Sequence, residues 1–289
     1  MYEYLQKESA VKLIQLALTE DVGDGDHTSL ASIPSDRKNT AKLLVKDSGI
    51  LAGVEAARWV CEQVDAELEF QELLSDGSKI TNGDIVFYLK GNSRSILQAE
   101  RLALNIMQRM SGIATYTHSI VEKIKHTNAK LLDTRKTTPN FRLFEKWAVK
   151  IGGGVNHRYG LFDMILLKDN HVDVAGGIKN ALANTHNYLA KTGKKLDIEI
   201  EIRNLAELEQ VLEMGGVRRV MFDNMSVENI LKGVKMVAGS IETEISGGVT
   251  EETIVALAET GVDYISVGKL THSVRSLDLS LKAIHSISN

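Results

Sequence analysis

Residues 196–224 read LDIEIEIRNLAELEQVLEMGGVRRVMFDN. An apolar run with alternating acids, LDIEIEI, gives way to NLAELEQVLEMG, whose apolar residues fall three and four apart, and a second apolar run, RRVMFDN, comes after the glycines. Alternation predicts a strand and the wider spacing a helix. The rhythm extends to both sides. AKLLD, FDMILLK, IETEIS and VDYISVG are strand-like, while SVENILKGVKMVAG and TEETIVALAETG have helical spacing. Strands alternating with helices predict βαβ units and a parallel sheet, because parallel neighbours need a long crossover between them. Six strands fall short of the eight of a complete barrel, which takes roughly 250 residues. A smaller barrel and an open doubly wound sheet both fit.

The first part of the chain has a different texture. Ala10, Leu13, Ile14, Ala17 and Leu18 are helically spaced, and EDVGDGDHTS breaks that helix with glycines and acids. AKLLVKDSGILAGV predicts two strands around a Ser-Gly turn, and EAARWVCEQV a short helix. NGDIVFYLKGNSRSIL predicts a hairpin with Gly91-Asn92 at its tip. The long segment QAERLALNIMQRMSGIATYTHSIVEKIKH continues as helix, with Ser111-Gly112 as a break or boundary. The division expected is an α/β domain over 1–112 and an α/β barrel over 113–273.

Composition removes several functional classes. At 43% hydrophobic and 25% charged, the chain has the balance of a soluble globular protein. No stretch approaches the ~20 apolar residues that span a bilayer. The opening MYEYLQKESAVKLIQLALTED lacks the basic-then-apolar order of a secretory leader. Cys61 is the single cysteine, which excludes an intrachain disulfide and fits a reducing cytoplasm. A net charge of −4 argues against a nucleic-acid binder. Yet between Asp133 and His171 seven Lys and Arg face four acids, so one segment is locally basic on an acidic protein. A solvated helix face accounts for Lys146 and Lys150. Arg135, Lys136, Arg158 and Lys168 lie instead in turn-like segments, and suit a cationic cleft for a small anion.

The polar residues at the strand ends carry the chemistry. They are Asp133-Thr134-Arg135-Lys136, then Lys168-Asp169-Asn170-His171, Glu201, Asp223-Asn224, Ser246-Gly247-Gly248 and Gly268-Lys269. In parallel α/β folds this edge houses the active site. Ser246-Gly247-Gly248, with a helix expected near Thr250, and Gly268 one unit later suit a phosphate, which backbone N–H groups can approach closely there. A purely conformational role for the glycines is the competing reading. Alternation in IEIEI points Glu199 and Glu201 to one face. A salt-bridged pair would satisfy them, as would Glu201 with Asp223 holding Mg²⁺ or ribose hydroxyls. IGGGVNHRYGLFD predicts a mobile loop carrying His157 and Arg158, a guanidinium suited to bidentate carboxylate binding. Four cations overmatch a single monoanion, so a ligand with several negative charges is expected.

Eight motifs in one order, EDVGDGDHTS, AERLALNIMQRMSGIAT, DTRKTTP, EKWAVKIGGGVNHRYGLFDMILLKDNH, IEIEIRNLAEL, MFDNM, ISGGV and ISVGKLTHS, resemble the quinolinate phosphoribosyltransferase family. The resemblance runs from about residue 20 to 280. Asn140-Phe141, Phe222 and Lys269 depart from the pattern without removing a charged residue of the chemistry. The resemblance implies a type II phosphoribosyltransferase-like fold, an N-terminal α/β sandwich with a C-terminal incomplete α/β barrel of six or seven strands, and residues 274–289 packing back on the first domain. It implies conversion of quinolinate and phosphoribosyl pyrophosphate (PRPP), with Mg²⁺, to nicotinate mononucleotide, pyrophosphate and CO₂ for NAD synthesis. It implies a homodimer with the active site at the interface. By the same resemblance Arg135, His157, Arg158 and Lys168 hold quinolinate, with Arg101 from the partner chain. Lys136 faces pyrophosphate or phosphate, and Glu201 and Asp223 face ribose and Mg²⁺. Ser246, Gly247, Gly248 and Gly268 cradle the 5-phosphate near His272. A sister enzyme acting on nicotinate and a non-catalytic phosphate-binding barrel are the rival readings.

Overall fold

A computed structural model describes residues 6–284. In chain order it contains α1 (Lys7–Val22), α2 (His27–Ser32), β1 (Lys38–Val45), β2 (Gly49–Ile50), α3 (Val54–Val64), β3 (Glu69–Glu72), β4 (Lys79–Ile80), β5 (Ile85–Asn92) and α4 (Ser93–Ile124). Then come β6 (Lys130–Leu132), α5 (Arg142–Ile151), β7 (Ile165–Leu167), α6 (Asp169–Ala175), α7 (Ile178–Thr192), β8 (Ile198–Ile202), α8 (Leu205–Met214) and β9 (Arg219–Asp223). The last elements are α9 (Val227–Val237), β10 (Glu242–Ser246), α10 (Ile254–Ala258), β11 (Tyr264–Ser266), α11 (Lys269–His272) and β12 (Leu279–Ala283).

Two compact units emerge. One comprises the chain up to His118, Thr137–Gly153 and the chain from Lys269 onward; the other comprises Ser119–Lys136 and Gly154–Gly268. The expectation of cuts near 112 and 273, with 274–289 returning to the first domain, does not include Thr137–Gly153 in that unit. In the first unit an antiparallel sheet has the order β12–β1–β5–β3, and β2 pairs with β4 in a small ribbon. The strand β12 is the part of the 274–289 segment that returns to β1, pairing Leu281 with Leu43; residues 285–289 lie outside the described residues. Alternation in KNTAKLLV sends Ala41, Leu43 and Val45 into the core. Each such buried Val or Leu stabilises the fold by about 1.5–3 kcal/mol.

Two expectations fail in this unit and a third fails in part, each for a local reason. Residues 85–92 form one strand rather than a hairpin. The Asn92 side chain donates to Ser35 O (2.7 Å) and accepts from Arg94 N (2.9 Å), so the chain leaves β5 directly into a helix. Ser111-Gly112 does not break α4, which is continuous from Ser93 to Ile124. Ser111 Oγ accepts from Ala52 N (2.9 Å) and donates to Ala52 O (3.0 Å), while a Cβ at Gly112 would overlap Arg275 O. The pair permits close packing. Lys146, expected on a solvated face, is fully buried, whereas Lys150 is exposed.

The second unit is a parallel sheet of six strands in the order β6–β11–β10–β9–β8–β7. From β7 to β11 neighbours follow the chain, and β11 then pairs with β6, the first strand. That is a barrel's order, and it excludes the doubly wound alternative, whose strand order reverses at a switch point. Among the described residues the ring lacks strand pairing only between β6 and β7. Val155 occupies the free edge of β6: its N–H donates to Leu131 O (2.8 Å) and its O accepts from Asp133 N (3.2 Å). The segment GGGVNHR is therefore held to the sheet and is not the free loop its glycines suggest.

Strand alternation sorts the barrel's two faces. Ile200, Val220, Phe222, Ile245 and Ile265 are almost wholly buried, and the space beside the Phe222 ring is left by Gly233 of α9. These side chains form the layer between strands and helices. The alternate positions carry Glu199, Glu201, Arg219, Asp223, Glu244 and Ser246, and give the barrel a polar interior. The helix α8 starts where Asn204 Oδ1 accepts from Glu207 N (2.9 Å) and ends at Gly215. Such caps satisfy backbone groups that the helix leaves unpaired.

Candidate active site

The strand ends of the barrel unit gather most of the expected residues. Asp133, directly after β6, is fully buried and ties the ensuing turn to the 156–157 backbone. Its Oδ2 accepts from Asn156 Nδ2 (2.6 Å) and its Oδ1 from His157 N (2.8 Å). Arg135 and Lys136 are exposed on the next turn, where Lys136 N donates to Thr134 Oγ1 (3.0 Å). Arg158 is half-buried, and its Nη1 donates to Met164 O (3.0 Å). Asp163 steadies the adjoining loop by accepting from Tyr159 N (2.6 Å) and Gly160 N (3.0 Å).

Arg158 and Arg135 lie close enough to repel. Burial, and then the Arg135 charge, lower the Arg158 pKa, while Glu199, Asp163 and Glu201 act in the other direction. Two guanidiniums held together in this way favour an anion between them. Lys168, after β7, adds a third cation, with Nζ 2.7 Å from Glu201 Oε1. Glu201 Oε2 also accepts from Asp169 N (3.3 Å). Its carboxylate is mostly buried and already carries a partner.

The next two strand ends suit a different ligand. Asp223 ends β9 and pairs in register with Ser246, which ends β10. Asp223 Oδ2 accepts from Asn224 Nδ2 (3.0 Å), and Asn224 N donates to Ser246 O (3.0 Å). Gly247 and Gly248 have φ of +84° and +60°, left-handed backbone that glycine adopts freely. A Cβ at Gly247 would overlap the Asn224 amide. The close approach gives these glycines a definite reason. The helix α10 begins at Ile254, later than the expected Thr250, so residues 249–253 form a turn instead of a helix N-terminus. Gly268 comes after β11. Arg101, exposed on α4, and His272, whose Nδ1 lies 2.6 Å from Ser273 Oγ, belong to the other unit.

The alternation that brings Glu201 to the rim also places a second cluster below it. His157 is buried, and its Nε2 lies 3.0 Å from Glu199 Oε2 and 3.5 Å from Glu244 Oε2. Arg219 Nη1 lies 2.9 Å from Glu244 Oε2 and 4.0 Å from Glu199 Oε2, and Arg219 also holds Glu242. The Arg219 guanidinium covers the Tyr264 ring at 3.9 Å. Burial pushes the Glu199 carboxyl up to about 7 and the Glu244 carboxyl up to about 8. Sequence reasoning singled out neither Glu244 nor Arg219. The available signal was period-two alternation in RRVMFD and IETEIS, which turns both toward the barrel interior.

Comparisons with known proteins agree over most of the chain. Residues 26–111 match the quinolinate phosphoribosyl transferase N-terminal domain, and residues 113–282 match the C-terminal domain of that family. A quinolinate phosphoribosyltransferase [decarboxylating] 1b of Nicotiana tabacum is 45% identical, over 93% of this chain and 81% of that protein. A probable nicotinate-nucleotide pyrophosphorylase [carboxylating] of Bacillus subtilis is 38% identical, over 93% and 92%. The solved structure of the nicotinate-nucleotide pyrophosphorylase from Francisella tularensis has a TM-score of 0.88 at 41% identity, covering 95% of this chain and 96% of that one. With both domain models matched in order over a barrel whose strand ends carry paired guanidiniums, the chain belongs to the quinolinate phosphoribosyltransferase family.

Proposed function

We propose that this chain transfers the phosphoribosyl group of PRPP to the ring nitrogen of quinolinate, with loss of CO₂, to give nicotinate mononucleotide and pyrophosphate in de novo NAD synthesis. The observation that carries the reading is the set of cations at strand ends of one barrel, Arg135 after β6, Lys168 after β7 and a half-buried Arg158 that feels the Arg135 charge, an arrangement that suits the two carboxylates of a pyridine diacid. His157 lies at the base of this group. A monocarboxylate such as nicotinate would leave cations unmatched, which weighs against the sister enzyme.

The second substrate is assigned to the neighbouring strand ends. Gly247 and Gly248 offer backbone N–H groups to the 5-phosphate together with Ser246 and Gly268, and Lys136 faces the pyrophosphate. Glu201 and Asp223 flank the ribose. Their oxygen-only donor set fits a hard cation, so these two carboxylates would hold Mg²⁺, which when bound neutralises charge on the departing pyrophosphate. As pyrophosphate leaves C1, the same carboxylates stabilise the developing oxocarbenium charge. The pyridine nitrogen bonds to C1. The bond from C2 to the 2-carboxylate then breaks as CO₂ leaves, its electron pair stays on C2 beside the pyridinium nitrogen, and C2 takes up a proton from solvent to give nicotinate mononucleotide. Arg135 and Arg158 keep hold of the 3-carboxylate throughout.

A second copy of the chain completes the site in this reading, contributing Arg101, and the enzyme works in the cytoplasm. The lone cysteine, buried as a free thiol, supports a reducing compartment. No helix among the described residues is long and apolar enough to cross a membrane. The test is incubation with quinolinate, PRPP and Mg²⁺, monitoring nicotinate mononucleotide and CO₂. Product from nicotinate but not quinolinate would replace the reading with the sister enzyme, and no turnover with either would leave a binding barrel.

A further inference from the structure

The buried cluster beneath the strand ends is not used by the chemistry above, yet it touches that chemistry at one point. Arg158 N donates to His157 Nδ1 at 2.8 Å. An accepting Nδ1 puts the ring proton on Nε2. That nitrogen lies 3.0 Å from Glu199 Oε2 and 3.5 Å from Glu244 Oε2, on two different strands of the barrel, close enough for electrostatic attraction although it makes no aligned hydrogen bond to either. Both carboxylates are fully buried, so neither reaches a substrate. Behind them Arg219 pairs with Glu244 and is fixed against Tyr264 and Glu242. On the other side the His157 backbone is tied to Asp133, which lies between the end of β6 and Arg135.

Resting on the function proposed above, we infer that Glu199 and Glu244 are positioning residues for quinolinate binding. They fix the tautomer and orientation of His157, and His157 fixes the backbone from which Arg158 reaches the carboxylate. Orienting groups behind a histidine act in this way in many sites, by selecting which ring nitrogen carries the proton. A cation site is the competing use, because His157, Glu199 and Glu244 each place one ligand atom within 4.8 Å of the others. Arg219 already supplies positive charge to this cluster at 2.9 Å, and a metal ion would have to displace it.

The test varies quinolinate and PRPP separately in wild type, Glu199→Gln and Glu244→Gln. Gln keeps the size of the side chain and replaces the carboxyl, whichever its protonation state, with a neutral amide. The KM for quinolinate is expected to rise about five-fold or more in each variant, the effect of losing one buried polar contact behind His157, while kcat and the KM for PRPP stay within about two-fold. Calorimetric binding of quinolinate alone should weaken in the same proportion. Should a Gln variant fail to fold, Glu→Asp at that position withdraws the carboxylate by one methylene and carries the same expectation. Unchanged quinolinate affinity with a lower kcat, or equal shifts in both KM values, would overturn the inference in favour of a purely structural role. So would stabilisation of the substrate-free enzyme by Zn²⁺ that either Gln variant abolishes. Wild type is the control for the function itself: no turnover there would sink both readings, whereas normal wild-type turnover with unshifted variants would sink only this one.

Discussion

Replacing Glu145 should release Thr138 from α5, while Arg142 Nε still donates to Thr137 Oγ1 (2.9 Å). Glu145 is fully buried on α5. Its Oε1 accepts from Arg109 Nε (3.0 Å), Arg109 Nη2 (2.9 Å) and Thr138 Oγ1 (3.0 Å), and its Oε2 accepts from Thr138 N (3.0 Å). Glu145→Ala removes the carboxylate that pairs with Arg109 and leaves the Thr138 N–H without this acceptor. Breaking a buried ion pair from one side costs about 3–5 kcal/mol, because the remaining charge stays desolvated. Arg109 keeps the carbonyls of Thr271 and Val274, so the lower half of that range is expected. Glu145→Gln keeps one acceptor oxygen and loses the charge, which should cost about 1.5–3 kcal/mol.

The assay is built into the chain. Its two tryptophans, Trp59 and Trp147, contact each other with centroids 5.5 Å apart in the same unit as Glu145. Urea unfolding monitored by their fluorescence therefore reports on the unit in question. A loss below about 1 kcal/mol for Glu145→Ala would refute the reasoning, since exposed pairs are worth that little and buried ones are not. Equal losses for Ala and Gln would show that what both variants lose, the charge and one acceptor oxygen, carries the effect, and not the oxygen that Gln keeps.

Three further outcomes are expected. Gly247→Ala puts a methyl group against Asn224 at a left-handed position, so the KM for PRPP should rise about ten-fold while that for quinolinate holds, as steady-state kinetics would show. Burial pushes the Cys61 thiol up to about 12, so a thiol reagent at neutral pH should label the protein only as fast as it unfolds; rapid labelling of the native enzyme would contradict the burial. If Arg101 serves a neighbouring copy, Arg101→Ala mixed with Lys136→Ala should recover up to about a quarter of wild-type activity, because half the dimers are then mixed and each has one intact site. No recovery after subunit exchange would place Arg101 in its own chain's site.

The barrel was legible because each strand pairs a hydrophobic outer face with polar residues at its end, and that pattern survives in a single sequence. Closure was not legible, since β6 and β11 are far apart in the chain and pair without any local signal. The hairpin at Gly91-Asn92 was misread because Asn also starts helices, and its side chain decides between the two. Lys146 was misread as solvated because helical spacing shows which residues share a face but not what that face meets. The basic segment was legible as a group. Periodicity could not supply the frame behind it, where Asp133 receives both Asn156 and His157 from a stretch whose glycines suggested freedom.

A barrel interior that carries Glu199, Glu244 and Arg219 is not what stability alone selects. Apolar residues of similar volume in place of a buried ion cluster are often neutral or stabilising. The layering suggests what the charges are for. Glu199, Arg219 and Glu242 share one register row; Glu201, Met221, Glu244 and Tyr264 form the next; Asp223 and Ser246 form the one nearest the rim. Polar groups continue from the bottom of the sheet to the edge where the substrates are assigned, so the rim residues rest on polar side chains held in place by Arg219. Such a layer fixes direction: a carboxylate held by Arg219 can face a histidine along only a few lines, whereas a leucine there would constrain none. Substitutions in the lowest row should consequently change substrate affinity without touching a substrate, and the cost of burying the cluster is set against the alignment of Arg158.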